Sequence, residues 1–269
     1  MSSSSLSGRT VLVTGATSGI GLETARLLAE RGATVLVHGR TAEEARAATD
    51  RLVATAGIEA AQLRPLCADF AHLDEVKQLA HQIVREHPHL DVLVNNAGMA
   101  APERHTLTAD GNEIAFQVNF LAHYLLTCLL EPALTSEPGG RVVNVSSSLH
   151  RTASIQWSDP NRARRYARLA AYAQSQLALT VFAADPRVTA VSVHPGACET
   201  SLLPLYGHQG RSAAEGAAHV VRLCDPGVEI VNGAYYDRDE RVAPATAATE
   251  ERTVRRLNKL AGELVGQDA

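Results

Sequence analysis

The chain has 269 residues, 45% of them hydrophobic, and a formal net charge of −4. This length allows one or two domains, and the weakly acidic balance argues against a general nucleic-acid binder. No stretch is predicted to cross a membrane, and the four cysteines are scattered without metal-ligand spacing. We therefore expect no metal site, no membrane partner and no nucleic-acid partner, and reduced thiols in a cytoplasmic location.

Serine dominates the first eight residues, which lack the basic and apolar stretches of a signal peptide. We predict a flexible tail over residues 1–8. No linker, repeat or low-complexity segment interrupts the chain after it, so residues 9–269 are predicted to form one domain.

A strand, a glycine-rich turn and a helix form the first predicted unit. An apolar run from Thr10 to Val13 leads into Thr14-Gly-Ala-Thr-Ser-Gly-Ile-Gly21, and a helical pattern follows from Leu22 to Arg31. Gly15 and Gly19 leave room for backbone to approach a pyrophosphate, and a helix N-terminus offers free N–H groups. Gly21 would allow the helix and strand to pack closely. The unit predicts a dinucleotide site; the alternative is an ordinary turn.

The second predicted strand, Ala33 to Val37, is followed by Gly39 and Arg40. In a dinucleotide fold, an acid at this place accepts hydrogen bonds from the ribose 2′-hydroxyl of NAD. This chain has no acid there, and the Arg40 guanidinium can hold a 2′-phosphate. The sequence therefore predicts NADP(H) in preference to NAD(H). The alternative is a solvated arginine at a strand end.

Helices and strands continue to alternate along the rest of the chain. A capping box at Thr41–Glu44 begins the second helix, and the fourth strand, Asp91 to Val94, runs directly into Asn95-Asn-Ala-Gly98. The other predicted elements are a strand over Leu63–Ala68, a helix over Leu73–Glu86, a long apolar helix over Glu113–Leu134, a strand ending in Asn144–Ser148, a helix around Tyr172, and a strand over Val188–Val193 followed by His194-Pro-Gly196. Small-residue turns at the carboxyl ends of parallel strands belong where such sheets bind ligands.

These motifs, in this order and spacing, resemble the short-chain dehydrogenase/reductase family along essentially the whole chain. The Thr14–Gly21 loop and the Asn95–Gly98 turn resemble two of its motifs, and Asp69 matches the acid that meets the adenine. The resemblance implies an α/β, Rossmann-type doubly wound fold, in which helices flank both faces of a mostly parallel seven-stranded sheet. Asn119–His123 and Val143–Ser147 are most similar to the retinol-dehydrogenase-like branch, which mostly uses NADP.

The resemblance also implies which residues contact the cofactor. They are Gly15, Thr17, Ser18, Gly19, Ile20, Gly21, Arg40, Asp69, Phe70, Asn96, Ala97, Gly98, Tyr172, Gln176, Pro195, Gly196 and Thr200. In the family, hydride passes between nicotinamide C4 and a carbonyl carbon while a tyrosine moves the proton.

Four positions match the family's catalytic set. Tyr172 matches the general acid, Asn119 the residue of a water relay, and Ser147 the serine that holds the substrate oxygen, with Ser146 and Ser148 as neighbouring alternatives. The fourth position, where the family has lysine, is Gln176. Tyr166 is a poor rival for the general acid because Ala170 stands four residues after it.

Gln176 changes the expected electrostatics. Its amide can still donate hydrogen bonds to a ribose. It lacks the charge that, at about 4 Å and an effective dielectric of about 20, is worth about 4 kcal/mol, or about three pKa units. Without that charge Tyr172 is expected to remain a neutral phenol, which favours carbonyl reduction over alcohol oxidation. Lys77 and Lys259 are predicted to be peripheral, and Arg168, one turn before Tyr172, is the candidate substitute for the charge.

We therefore expect an NADP(H)-dependent enzyme that reduces a carbonyl of a mostly apolar small molecule. The alternative is a protein of this fold with a non-redox activity, such as a cyclase, dehydratase or isomerase, or a cofactor-binding regulator. The side chains proposed to line the substrate pocket are Leu202, Leu203, Leu205, Met99, Trp157 and His150, each with core or surface as the alternative.

Two further segments depart from the family or bear on the substrate. Pro186 is predicted to end the Tyr172 helix early. Because the helices of Asn119 and Tyr172 often form the dimer interface in this family, a homodimer stays open. The short segment from Tyr206 to Ser212 contains two glycines and is predicted to be a mobile lid within a substrate loop over residues 200–212.

Overall fold

A computed structural model describes residues 6–136, 139–185, 187–205, 207 and 209–267 of the chain. The helix stop predicted at Pro186 and the lid positions Tyr206 and His208 lie outside these residues. Leu6 is fully buried, and its N–H donates to the Arg31 carbonyl at 3.0 Å. Residue 6 therefore belongs to the folded domain and not to a tail, because its side chain packs into the core beside the first strand.

One sheet contains all the strands of the described residues. These are β1 Thr10–Val13, β2 Thr34–Gly39, β3 Leu63–Cys67, β4 Val92–Asn95, β5 Arg141–Val145, β6 Ala190–His194, β7 Tyr235–Asp237 and β8 Glu240–Val242. Their order is β3-β2-β1-β4-β5-β6-β7-β8, and neighbours are parallel except for the last pair. The doubly wound prediction is confirmed.

The sheet has eight strands where seven were expected. Arg238 adopts a left-handed backbone conformation with φ of 56°, and the chain reverses directly after β7. Tyr235 pairs with Val242, and Asp237 with Glu240. A tight hairpin thus adds an antiparallel edge strand, which the pattern of buried parallel strands did not indicate.

Helices cover both faces of the sheet. They are α1 Gly19–Glu30, α2 Ala42–Ala56, α3 Leu73–Glu86, α4 Ile114–Phe116, α5 Ala122–Leu134, α6 Arg168–Phe182, α7 Ala213–Cys224 and α8 Glu251–Val265. Side chains of α1, α2 and α7 form one hydrophobic core with one face of the sheet, and those of α3, α4, α5, α6 and α8 form the core of the other face.

The predicted long helix contains an unpredicted π segment. Glu113 is its N-cap and accepts hydrogen bonds from the N–H groups of Ala115 (3.2 Å) and Phe116 (2.7 Å). Between α4 and α5, residues Gln117–Leu121 form a π-helix, and Asn119 lies at its centre. Single π turns inside α-helices frequently mark functional positions.

Contrary to the sequence expectation, one segment of the described residues is long and apolar enough to cross a membrane. Ile114–Leu134 has 21 residues and contains an 18-residue window with a mean hydropathy of 1.3, but 72% of that window is buried inside the fold. The segment therefore packs as a core helix of the domain, and its apolar side chains contact other buried residues.

The strand order places a crevice between the carboxyl ends of β1 and β4. Chain connections leave these neighbouring strands toward opposite faces of the sheet, which is where doubly wound sheets bind ligands. The turns predicted to bind a cofactor begin at the ends of these two strands.

Candidate functional site

Thr14 joins the two turns at the crevice. Its hydroxyl oxygen accepts hydrogen bonds from the N–H groups of Asn96 (2.8 Å) and Ala97 (2.9 Å). In return, the Asn96 amide donates to the carbonyls of Thr14 (2.8 Å) and Gly15 (3.2 Å). The predicted cofactor loop and the Asn-Asn-Ala-Gly turn are therefore one rigid unit.

Backbone packing explains two loop glycines. A Cβ on Gly21 would lie 2.3 Å from both the Asn96 amide nitrogen and the Gly15 carbonyl oxygen, so this position has no space for a side chain. The close neighbour of Gly21 is thus the Asn-Asn-Ala-Gly turn as well as the loop itself. Gly19 has a φ of 54°, and a Cβ there would lie 3.0 Å from the Thr200 methyl group. Gly19 and Thr200 therefore face each other across a narrow cradle.

Ser18 and the first turn of α1 complete this cradle. Ser18 is the N-cap residue but makes no side-chain capping hydrogen bond, and Ile20 follows as a partly buried residue. The helix N-terminus points its N–H groups and the positive end of its dipole toward the loop. A glycine loop without side chains, the Thr200 methyl group opposite it and a helix N-terminus together fit the pyrophosphate of a dinucleotide.

The predicted adenine and ribose contacts lie at the ends of β2 and β3. Arg40 is exposed, and its Nη2 donates to the Glu44 carboxylate at 2.8 Å. The Asp69 carboxylate accepts a hydrogen bond from the Ala71 N–H at 2.9 Å, and Phe70 is buried. Thr17 accepts a hydrogen bond on its carbonyl from Arg51 at 2.8 Å. Arg40 retains donors for a second anion because a guanidinium has five N–H groups.

Asn119 connects three parts of the site. Its Oδ1 accepts the Met99 N–H at 2.8 Å, and its Nδ2 donates to the Met99 carbonyl and to the Ser175 hydroxyl, each at 3.0 Å. The Ser175 hydroxyl donates to the Tyr172 carbonyl at 2.8 Å. The π segment, the chain after Gly98 and helix α6 are therefore held together beside Tyr172.

Tyr172 is 3% exposed and belongs to a small apolar cluster separate from the two main cores. Buried alanines share this cluster, and partly buried apolar side chains pack against it: Leu149, Tyr166, Leu202 and Leu205. Two proposed pocket residues, Leu202 and Leu205, thus lie in the Tyr172 cluster.

The other proposed pocket residues have different surroundings. Trp157 packs against a main core, and the guanidinium of Arg256 lies 4.3 Å from its ring centroid, so Trp157 is not part of the Tyr172 cluster. His150 is buried, its Nδ1 donates to the Ser147 carbonyl at 2.7 Å, and its Nε2 accepts the Ala245 N–H at 3.1 Å. Leu203 lies against Gly210 in the substrate loop.

The three serines after β5 have different environments. Ser147 is fully buried, and its Oγ accepts the Leu149 N–H at 3.0 Å. The Ser146 hydroxyl lies 2.7 Å from the Thr180 hydroxyl and holds β5 against α6. Ser148 and Gly196 line an open cleft of about 450 Å³ at the carboxyl ends of β5, β6 and β7. Pro195 precedes Gly196 directly after β6.

Gln176 lies one helical turn after Tyr172 and is 5% exposed. Its carbonyl accepts hydrogen bonds from the hydroxyls of Ser146 (3.3 Å) and Thr180 (2.9 Å). Its side-chain amide has two N–H donors and one carbonyl acceptor within this nearly buried region.

The cations considered as substitutes for a lysine are engaged elsewhere. Arg168 Nε donates to the Ala101 carbonyl at 2.6 Å, and its Nη1 pairs with Glu103. Lys77 pairs with Asp74 at 2.9 Å, and Lys259 lies 3.9 Å from Glu263, both on exposed helix surfaces. The charge of Arg168 is thus balanced by an acid of the segment after Gly98.

Two histidines beside the cofactor loop were not predicted from the sequence. His38 and His123 are buried, and burial lowers the pKa of each ring to about 4. Each is a polar ring within an otherwise apolar element, His38 in β2 and His123 in α5. A buried polar group without a partner is costly, so these positions could have indicated specific hydrogen bonds. Within the described ranges, no cluster of three His, Cys, Asp or Glu side chains is arranged to hold a metal ion.

Comparisons with known proteins agree with this geometry. The family profile described as short chain dehydrogenase matches residues 9–208. Human retinol dehydrogenase 13 is 33% identical over 294 aligned positions, covering 100% of this chain and 88% of that protein. A Streptomyces sp. (strain C5) protein, named as a candidate daunorubicin C-13 ketoreductase (DnrU), is 38% identical, covering 91% of this chain and 88% of its own.

A solved structure has the same fold over nearly its whole length. The crystal structure of an uncharacterized protein from Mycobacterium paratuberculosis matches with a TM-score of 0.80 and 29% identity, covering 98% of this chain and 96% of that chain. A candidate short-chain dehydrogenase from Shigella flexneri, solved as a complex with NADP, matches with a TM-score of 0.70 and 26% identity. The match covers 88% of this chain and 99% of that chain. The profile match over residues 9–208 and the 33% identity along the whole chain show that this chain belongs to the short-chain dehydrogenase/reductase family of oxidoreductases.

Proposed function

We propose that the protein is an NADP(H)-dependent reductase that acts on the carbonyl of a mostly apolar small molecule. The observation that carries the proposal is the buried Tyr172 in an apolar cluster, joined through Ser175 to Asn119. A relative named as a ketoreductase supports the reaction type. A neighbour solved with NADP supports the cofactor.

The chain offers a residue for each part of the cofactor. The Gly19 cradle and the N-terminus of α1 would hold the pyrophosphate, and Arg40 would hold the 2′-phosphate. The Gln176 amide, one helical turn after Tyr172 on α6, would donate to the nicotinamide ribose. Bound NADPH supplies a hydride that adds to the carbonyl carbon.

Tyr172 and Ser147 would act on the carbonyl oxygen. Both hydroxyls would donate hydrogen bonds to it, and the Tyr172 proton would move to it as the negative charge develops. One hydride and one proton convert the carbonyl to an alcohol, and the resulting tyrosinate regains its proton from water. Asn119 would hold α6 in place through Ser175 during this step.

The neutral Gln176 determines the favoured direction. Carbonyl reduction starts from the neutral phenol of Tyr172, whereas alcohol oxidation starts from the phenolate. No lysine among the described residues is placed to stabilise that phenolate, and Arg168 is balanced by Glu103. We therefore expect reduction to be faster than oxidation.

The wall beside Tyr172 indicates the substrate class. Leu149, Tyr166, Leu202 and Leu205 are partly exposed apolar side chains packed against its cluster. Such surfaces favour the burial of apolar groups of a ligand, at about 25 cal/mol per Å² of area removed from water.

A second function is favoured by the same glutamine. With glutamine in place of lysine at position 176, Tyr172 and Ser147 could serve a cyclase, dehydratase or isomerase that keeps the fold but not the redox step, or the site could bind a cofactor for regulation. Tight NADPH binding without turnover would separate this candidate from the reductase.

The test is NADPH consumption by the purified protein with a panel of ketones and quinones. Tyr172→Phe should remove the consumption while NADPH still binds. Tyr124→Phe is the matched control, because this hydroxyl donates to the Asn258 carbonyl at 3.2 Å, outside the site, and the variant should keep the activity. Equal rates for Tyr172→Phe and the unaltered protein would refute the proposed role.

We also propose that the protein acts as a monomer. Twelve consecutive residues of α6, from Ala171 to Phe182, are buried within a single chain, so this part of α6 has no face left for a second copy; Leu169, in the first turn, is exposed. The buried side of α8, which includes Leu257 and Ala261, belongs to the same core as α6. Sedimentation at micromolar concentration should give one chain, and a dimer would contradict this interpretation.

A further inference from the structure

His123 lies between the cofactor loop and the predicted catalytic asparagine. It is fully buried on α5, four residues after Asn119. Its Nδ1 is 3.0 Å from the Asn119 carbonyl oxygen, and its Nε2 is 3.1 Å from the Thr14 hydroxyl oxygen. One imidazole ring thus contacts the first residue of the loop and the π segment of the long helix.

The partners of the ring determine where its proton lies. A carbonyl oxygen only accepts, so Nδ1 carries the proton and donates to Asn119. The Thr14 hydroxyl oxygen already accepts N–H groups from Asn96 and Ala97, which use both of its lone pairs. It can therefore only donate, and its one proton lies between two acceptors, the Val94 carbonyl at 3.2 Å and the bare Nε2 of a neutral His123.

His38 makes a matching bridge on the other side of the loop. Its Nδ1 accepts the Gly15 N–H at 3.1 Å, and its Nε2 donates to the Ala68 carbonyl at 3.1 Å. Phe70 separates the two rings, with centroids 4.6 Å from His38 and 5.2 Å from His123. Successive loop residues, Thr14 and Gly15, are therefore each held by a neutral histidine.

We propose that His123 is a positioning residue that couples the shape of the cofactor loop to the placement of Asn119. The catalytic meaning of this coupling rests on the proposed reductase function, but the bridge itself does not. Through Nε2 the ring, together with the Val94 carbonyl, orients the Thr14 hydroxyl, whose oxygen holds the Asn-Asn-Ala-Gly turn. Through Nδ1 it holds the backbone of Asn119, whose side chain reaches Met99 and Ser175.

A charged ring would break this bridge. Protonation would place an N–H at Nε2 against a hydroxyl oxygen whose lone pairs are already used. Burial, opposed by the hydrogen bond to Asn119 and assisted by the charge of His38 when that ring is protonated, lowers the pKa of His123 to about 4. Asp69 acts on His38 in the opposite sense. The bridge is therefore intact near neutral pH and is lost as the pH falls through about 4, well below the ordinary histidine value of about 6.5.

Two substitutions separate the two contacts. His123→Asn places an amide near the former Nδ1 and retains a donor for the Asn119 carbonyl, whereas His123→Gln extends to the former Nε2 and retains an acceptor for Thr14. We expect His123→Asn to weaken NADPH binding up to about tenfold with a smaller change in kcat, since one net hydrogen bond is lost at the loop. We expect His123→Gln to lower kcat by up to about tenfold with near-normal NADPH affinity.

The control is Leu130→Ala, a fully buried position further along α5. It should lower the melting temperature while leaving both NADPH affinity and kcat near those of the unaltered protein. If both His123 variants only lower the melting temperature, as Leu130→Ala does, the coupling proposal is overturned.

A measurement without substrate tests the bridge directly. Nitrogen-15 NMR of the imidazoles, assigned by comparison with His123→Gln, should show His123 neutral at pH 6 with its proton on Nδ1. Thr14→Val should alter the Nε2 shift and not the Nδ1 shift. A proton on Nε2, or a charged ring at pH 6, would refute the bridge even if the protein reduces ketones.

Discussion

The substitution Gln176→Lys tests whether a missing charge limits the chemistry at Tyr172. Gln176 is 5% exposed and lies one turn after Tyr172 on α6, so the new ammonium would sit in a poorly solvated place. Side chains four apart on a helix have Cβ atoms about 5–6 Å apart. At about 6 Å and an effective dielectric of about 20, the charge interacts with a phenolate by about 3 kcal/mol. That energy corresponds to about two pKa units.

A neighbouring cation favours the phenolate and so lowers the pKa of the tyrosine. The pH profile of alcohol oxidation should therefore move to lower pH by about two units. Oxidation should rise more than reduction, because only oxidation starts from the phenolate. Partial hydration of the ammonium would reduce both effects.

The assay is the initial rate in both directions between pH 6 and pH 10, with NADPH and a ketone and with NADP⁺ and the matching alcohol. Gln176→Met is the control, because it has similar length without an amide or a charge, and it should leave the oxidation profile in place. No shift for Gln176→Lys in a folded protein that binds NADPH would refute the charge argument. An ordinary turnover of about 10 per second in the unaltered protein would show that another group replaces the lysine charge.

Three further perturbations have directions fixed by the structure. Glu44→Gln frees Arg40 and removes a carboxylate that repels phosphate, so the affinity for NADPH should rise relative to that for NADH. Arg40→Asp should reverse the preference. Equal affinities of all variants for the two cofactors in fluorescence titrations would contradict the proposed role of Arg40. Gly19→Val should abolish NADPH binding by titration while circular dichroism stays native, since its φ of 54° and the Thr200 methyl leave no room for a branched side chain. Asp185→Asn should lower the free energy of unfolding by about 2 kcal/mol, because the Asp185 carboxylate is nearly buried and binds Arg187 at 2.7 Å. Burial by itself would raise the pKa of Asp185, but Arg187 outweighs it and holds that pKa below its usual value, so denaturant titrations should show this contribution present above about pH 4 and lost as the pH falls further.

Local pattern predicted the fold and most of the cofactor site. Thr10–Val13 is a strand as expected, and Leu73–Glu86 is a helix with the expected bounds. Periodicity and glycine placement act within one or two helical turns, so they can be read from neighbouring residues. Family resemblance added the residue roles for Asn119, Ser147 and Tyr172, and these roles remain predictions.

Other features were not predicted, because the local pattern allows more than one conformation or partner. The eighth strand requires Arg238 to adopt a left-handed backbone conformation. A glycine would have indicated such a turn, but this position is an arginine. The pairing of Arg40 with Glu44 was also not predicted, because Glu44 was assigned to a capping box; in the structure its N–H bonds to Thr41 while its carboxylate binds the arginine. The same side chain serves either role, and the local energies are too similar for the pattern to choose.

The sequence by itself determined the order of strands and helices and the positions of the cofactor turns, because each is encoded by neighbouring residues. The tertiary structure alone decided that His123 contacts Thr14, 109 residues away in the chain, and that its ring is neutral. A histidine in an apolar helix has no intrinsic partner or charge state. Its role is set by which hydrogen-bonding groups the fold brings to its two nitrogens and by the burial that makes every unmade bond costly.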